Sequence, residues 1–209
     1  TKEEIEHTLL NFMIPAKEAA TTIIRLERNR TDSQSKKEVA ALKEWLKSGM
    51  AVSRAISPII FPLNGHDPLS KLVSPHKAVR FDLMGSRMGE RWSWVNANTG
   101  ILVWDPLHTG HIRSGYQLFG NVTWCMIWQH GYAPLARLDA NGDGYLTGKE
   151  LEGIAVWCDK NGNGVSDKGE VLPLSSYGIS RIAVRGTRGK DGIYWNPKGL
   201  IQRNGNTVP

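Results

Sequence analysis

The sequence predicts an α+β protein, an N-terminal helical hairpin followed by a small β-rich domain. Three observations lead there. Apolar residues recur at helical spacing through about the first sixty positions. From Ala78 the pattern changes to short alternating runs bounded by turn residues. Residues 138–171 then hold two twelve-residue loops rich in Asp, Asn and Gly, separated by only eight residues. The boundaries expected are 1–60 for the hairpin, 61–77 for a linker and 78–209 for the loop-bearing domain.

The hairpin comes first. Ile5, Leu9, Phe12 and Met13 follow the helix period; Pro15 interrupts it, and Ala16, Ala20, Ile23 and Ile24 continue the stripe towards Arg30. TDSQSKKE is a polar break, where Ser35 with Glu38 three residues on forms a capping box. Val39, Leu42 and Leu46 carry a second helix, and two antiparallel helices follow, as a packing appendage or a docking surface. The next stretch, IIFPLNGHDPLSKLVSPHK, contains three prolines and reads as a linker. AVRFDL, RWSWV and GILVWD are short strands separated by turns such as NANTG, with Trp92 and Trp94 alternating onto one face.

DPLHTGHIRSGYQLFG keeps Asp105 at position one of a twelve-residue loop, Gly110 at six and Ile112 at eight. Leu107, Thr109 and Arg113 stand at three, five and nine. It reads as a calcium loop that has lost its ligands. His108 and His111 are three apart with no third ligand nearby, so they read as a turn rather than a metal pair. Tyr132 to Leu138 should form a short helix entering the first intact loop.

In that loop Asp139, Asn141 and Asp143 occupy positions one, three and five, Gly144 six, Tyr145 seven with its carbonyl, Thr147 nine and Glu150 twelve. In the second the same places hold Asp159, Asn161, Asn163, Gly164, Val165, Asp167 and Glu170. Calcium is a hard ion that takes roughly six to eight oxygens. Alternating Asx side chains wrap one side, a glycine at six allows the sharp turn, and a glutamate at twelve fills the other side. Surface Asx turns use similar residues but do not require that glutamate. The sequence therefore predicts two bound calcium ions in tandem EF-hand-like loops.

Asp139 and Asp159 are 20 residues apart, so a single shared helix is expected from near Gly148, with Leu151, Ile154 and Trp157 turned inward. At about 1.5 Å per residue the ions would lie on the order of 15 Å apart or more. Pro173 should cut short the exiting helix, and Ser166 at position eight argues against a β-bridge between paired loops. LPLSSYGISRIAV should end in a strand. Lys190-Asp191-Gly192 should turn into GIYWN, with GLIQRN as a further strand of a closing hairpin or meander.

The whole chain narrows the function classes. Its 209 residues, 40% hydrophobic with eight tryptophans, support a real core. No run of 18 apolar residues is present, so no transmembrane segment is expected. The chain starts at Thr1 without methionine, as a processed or partial chain would. The net charge of +6 is spread along the sequence and indicates no nucleic-acid partner. Arg181, Arg185, Arg188 and Lys190 read as an exposed strand or turn, with a polyanion patch as the alternative. Cys125 and Cys158 could form a disulfide or remain two buried thiols. No G-x-S-x-G, HExxH, P-loop or dinucleotide fingerprint appears, and no enzyme is expected.

Three segments carry a family resemblance. They are FDLMGSRMGERWSWVNANTGILVWD, GHIRSGYQLFG, and LARLDANGDGYLTGKELEGIAVWCDKNGNGVSDKGEVLPLSSYGI. Over roughly residues 78–184 the chain resembles the calcium-binding module of bacterial RTX-type and iron-regulated secreted proteins. It departs from that pattern where Asp82 is followed by Met84, Ser86 and Arg87, and where Gln117 replaces a glutamate. By the resemblance, only loops 139–150 and 159–170 keep calcium ligands. It implies a non-enzymatic, secreted or periplasmic module, stabilised by two calcium ions and working through a protein partner or a larger assembly. Some members cut themselves at an Asp-Pro bond when calcium binds, and Asp67-Pro68 stands at a comparable place. Calcium-triggered self-processing there is the alternative expectation.

Overall fold

The computed structural model describes residues 58–85, 91–190 and 192–209, together with Lys36 and Ala40. The chain divides into two compact units, Thr1–Ala55 and Ile56–Pro209. The helical hairpin expected over 1–60 lies outside the described residues apart from its last three positions and Lys36 and Ala40.

Among the described residues of the second unit, strands dominate. They are β1 (Ile60–Pro62), β2 (Val73–Arg80), β3 (Arg91–Val95), β4 (Thr99–Trp104), β5 (Tyr145–Thr147) and β6 (Ile154–Trp157). After these come β7 (Val171–Pro173), β8 (Ile179–Ala183), β9 (Thr187–Arg188), β10 (Tyr194–Trp195), β11 (Leu200–Gln202) and β12 (Thr207–Val208). Helix is confined there to α1 (Leu69–Leu72), α2 (Tyr132–Leu135) and short 3-10 turns. The α+β class expected from the sequence is thus overturned in favour of a small β-rich domain. Residues 61–77 carry the end of β1, all of α1 and the first part of β2.

Two four-stranded antiparallel sheets form the body, in the orders β1-β4-β6-β7 and β12-β11-β8-β5. Two ribbons, β2-β3 and β9-β10, complete it. Every residue of β4 and of β6 is buried. Because successive side chains of a strand point to opposite faces, each of these strands serves two cores. Leu102, Trp104, Ile154 and Val156 face a first core that includes Leu135 and Leu138 beside α2, with Leu146, Ile182 and Leu200 from the other sheet. Ile101, Val103, Ala155 and Trp157 face a second core with Phe81, Leu83, Trp94, Ile112 and Leu118.

This double burial explains the main correction. The helix expected from Gly148 through Trp157 is instead a 3-10 turn, Gly148–Leu151, followed by β6. Gly153 between them takes φ +84°, which breaks any helix. The run Ile-Ala-Val-Trp then pairs with β4 on one side and β7 on the other, which satisfies its main-chain groups. Pro173 ends β7 on the edge of that sheet rather than stopping a helix. The two loops are therefore not helix–loop–helix units and share no helix.

Candidate functional site

In each of the three Asp-led loops the first carboxylate accepts the N–H of the glycine at position six and of one or two residues just before it. Asp139 accepts the N–H of Gly142 at 2.8 Å and of Gly144 at 2.9 Å on its two oxygens. Asp159 accepts Gly162 N–H at 2.6 Å and Asn163 N–H at 3.1 Å on one oxygen, and Gly164 N–H at 2.8 Å on the other. Asp105 accepts Thr109 N–H at 3.0 Å and Gly110 N–H at 2.8 Å. In every loop the first carboxylate caps the main chain up to a glycine at position six. Those glycines, Gly110, Gly144 and Gly164, have φ of +69°, +87° and +76°, a backbone that other residues adopt only under strain.

The closing residue repeats as well. Glu150 Oε1 accepts Ala140 N–H at 2.9 Å, and its Oε2 accepts Thr147 N–H at 3.0 Å. Glu170 accepts Lys160 N–H at 2.9 Å and Asp167 N–H at 3.1 Å. Position twelve thus binds positions two and nine in both loops and draws each into a ring. In the Asp105 loop Gln117, one place later, accepts Arg113 N–H at 2.8 Å and donates to the His111 carbonyl at 3.0 Å. A neutral amide ties positions seven and nine together, where the other loops use a carboxylate to join positions two and nine.

The remaining side chains form Asx turns along the loops. Asn141 Oδ1 accepts Asp143 N–H and Asp143 Oδ1 accepts Tyr145 N–H, each at 2.8 Å. Asn161 Oδ1 accepts Asn163 N–H at 3.0 Å and Asn163 Oδ1 accepts Val165 N–H at 2.7 Å. The amides of Asn161 and Asn163 donate to Asp167 Oδ2 at 2.8 and 2.9 Å, and these bonds hold the Asp167 carboxyl below its ordinary range. Within each loop the side chains expected to face a metal accept main-chain N–H groups of the loop itself. Among the described residues, no three His, Cys, Asp or Glu side chains are gathered closely enough to hold a metal ion by themselves. The loops offer mixed sets of carboxylate, amide and main-chain carbonyl oxygens. That chemistry suits a hard cation and not a soft one.

The two loops differ most in burial. At positions one and twelve Asp139 and Glu150 are half-buried, whereas Asp159 is 0% and Glu170 5% exposed; the Asx residues at positions three and five are exposed in both loops. The second loop is enclosed from two sides. Against it lies the β2-β3 ribbon: Val79 of β2 packs against Gly164, and Lys77 Nζ donates to the Asn161 carbonyl at 3.5 Å. Trp94 of β3 donates its indole N–H to Asp159 Oδ2 at 2.6 Å. From the other side, Ile112 N–H donates to Ser166 Oγ at 2.8 Å. Ser166, whose place at position eight argues against a β-bridge between the two intact loops, supplies the acceptor that joins the Asp105 loop to the second loop. The sequence placed Trp94 on a strand face but gave no signal of a partner 65 residues away.

The first loop leans on the second sheet. Leu146 is fully buried, β5 pairs with β8, and the Arg181 guanidinium lies over the Tyr145 ring at 3.7 Å. Cys125 and Cys158 are both free thiols, and Cys158 Sγ donates to the Ala97 carbonyl at 3.0 Å. Burial pushes the Cys158 thiol up from its usual range. His108 and His111 are exposed and belong to no metal-holding group among the described residues.

Asp67 lies beside an open groove that Lys71, Ser74 and Asn98 also line. Its carboxylate accepts the Asn64 amide at 2.7 Å and pairs with Lys71 Nζ at 3.7 Å. No helix among the described residues is long and apolar enough to cross a membrane.

Comparison with known proteins gives two findings. A family model described as the SPM domain matches residues 59–205. The iron-regulated protein FrpA of Neisseria meningitidis serogroup C is 30% identical over 148 residues, which cover 67% of this chain and 13% of that protein. The chain therefore spans a small part of the length of the curated relative it matches.

Proposed function

This chain belongs to the SPM domain family, and from that premise we propose that it is a calcium-binding, non-enzymatic module that works outside the cytoplasm. The observation that carries the reading is the burial of Asp159 and Glu170, neither of which has a basic side chain paired with it among the described residues. An ionised carboxylate removed from water needs hydrogen bonds and an opposite charge. N–H donors supply the first, and a divalent cation would supply the second. In the first loop the ion would be held by Asp139, Asn141, Asp143, the Tyr145 carbonyl and Glu150. In the second it would be held by Asp159, Asn161, Asn163, the Val165 carbonyl and Glu170.

Extracellular calcium modules bind with dissociation constants of about 10⁻⁴–10⁻³ M, matched to a permanent supply of the ion. Binding then adds to folding stability by mass action, and the braced domain serves a protein partner or a larger assembly. Titration calorimetry with calcium chloride should give heat for two ions, and thermal melting in calcium should occur well above that in a chelator. A chain that takes up no calcium, with the same melting temperature in both buffers, would overturn the reading.

A second reading is calcium-triggered self-processing at Asp67-Pro68, favoured by Lys71 Nζ at 3.7 Å from Asp67 Oδ1. The Asp67 carboxylate would attack its own carbonyl carbon to form a cyclic anhydride. The proline nitrogen would leave with a proton, and water or a lysine amine would open the anhydride. α1 leads directly into β2, the strand that also covers the second calcium loop, so the ion and the bond share one segment of chain. Calcium addition should then give two fragments on a denaturing gel, and Asp67→Ala should give none. An intact band after prolonged incubation of the wild-type chain rejects this reading.

A further inference from the structure

The two loops differ in how their first carboxylate is held. Among the described residues, Asp139 accepts main-chain N–H groups only, from Gly142 and Gly144. Asp159 accepts the same kind of bonds and, in addition, the indole N–H of Trp94 at 2.6 Å, in a wholly buried contact. The indole itself is fixed by its neighbours. Its ring centroid lies 5.3 Å from Phe81 and 5.5 Å from Trp157, and Phe81 and Trp157 are 5.4 Å apart, so the three rings lock one another. Trp157 is on β6, two residues before Asp159, and Trp94 is on β3. The donor on β3 and the carboxylate just beyond the end of β6 thus meet with little freedom to turn.

We propose that Trp94 is a positioning residue for the second loop: its N–H orients the Asp159 carboxylate for a divalent cation and joins occupancy of that loop to the aromatic core. The proposal rests on the calcium reading above. A donor that holds a metal ligand in place pre-organises it, and loss of such a donor typically weakens metal affinity by about 10–100-fold. Among the described residues the first loop has no counterpart, so the effect belongs to one site alone. Trp92, in the same strand, donates its indole N–H to the Phe81 carbonyl at 3.1 Å and touches no loop carboxylate. It serves as the internal control.

The test is calorimetric titration of the full chain with calcium chloride, for wild type, Trp94→Phe, Trp92→Phe and Glu170→Gln. Phenylalanine keeps a ring in the cluster and removes the N–H. Trp94→Phe should weaken one of the two sites by about 10–100-fold, the same site that Glu170→Gln removes, and leave the other unchanged. Trp92→Phe should leave both sites as in wild type. In the wild-type chain, the assigned Trp94 indole N–H resonance should shift as that site fills while the Trp92 resonance stays in place. This measurement needs no variant, and a Trp94 resonance that does not move overturns the proposal. So does an unchanged isotherm for Trp94→Phe, or equal weakening of both sites. A wild-type chain with no calcium uptake overturns the underlying reading as well, which separates the two failures.

Discussion

The main-chain N–H of Ile112 and the hydroxyl of Ser166 meet at 2.8 Å, 54 residues apart in the chain. Each stands at position eight of its loop, so the loop that Asp105 opens is fastened to the loop that Asp159 opens. The Asp105 loop is complete in hydrogen bonds, with Thr109 and Gly110 on Asp105 and with Gln117 across its end. It lies against the second loop through the Ile112–Ser166 bond.

Ser166→Ala removes the acceptor for a buried donor. A buried N–H left without a partner costs about 1–3 kcal/mol, so the variant should unfold at lower denaturant concentration with an unchanged slope. An unchanged midpoint in urea would show that the N–H finds another acceptor.

The glycines at position six should not respond equally to substitution. Both Gly144 and Gly164 have positive φ, but a Cβ at Gly144 meets open space whereas one at Gly164 meets Val79 Cγ2 at 2.8 Å and the Arg80 carbonyl at 3.1 Å. Left-handed backbone costs an ordinary residue roughly 1–2 kcal/mol. Gly144→Ala should lose about that much, and Gly164→Ala more, through displacement of the β2-β3 ribbon. Equal losses in thermal or urea unfolding would contradict this difference.

On the calcium reading, stabilisation should rise with the logarithm of calcium concentration over the dissociation constant, reaching about 2.7 kcal/mol per site at a hundredfold excess. Glu150→Gln and Glu170→Gln should each remove one ion from the stoichiometry. Melting in calcium and in chelator, with counting of bound ions, checks both. A variant that keeps two ions at wild-type affinity would dissociate position twelve from binding.

Acid should weaken the fold through His130, whose ring stacks on Tyr194 at 4.0 Å between centroids. Burial pushes the His130 imidazole below its ordinary value, so the folded state favours the neutral form. Its contribution is therefore present above the unfolded-state pKa, near 6.5, and is lost as pH falls through the lower folded value. His130→Phe should flatten this part of a stability–pH curve measured from pH 8 to 5. An identical slope in the variant would assign the acid sensitivity elsewhere.

The loops were legible because their chemistry is local: Asp139 with Gly144 and Glu150 forms a ring within twelve residues, and so does Asp159 with Gly164 and Glu170. The strands were legible where alternation was clean, as in β3, or where a buried run was short, as in β4. The stretch between the loops misled because Leu151, Ile154 and Trp157 also fit a helix period. Four consecutive apolar residues after Gly153 equally describe a strand buried on both faces. What decided between them was pairing with β4, some fifty residues earlier. Trp94 with Asp159, and Ile112 with Ser166, were illegible for the same reason: neither partner carries a local mark of the other.

Ile101 and Leu102 are neighbours in one strand that belong to opposite interiors. The sheet they share is a partition wall rather than an outer shell, with Leu146 from the first loop on one side and Trp157, next to the second loop, on the other. Damage to the wall should open both rooms together, so the unit from Ile56 to Pro209 should melt as one piece whichever loop is disturbed first.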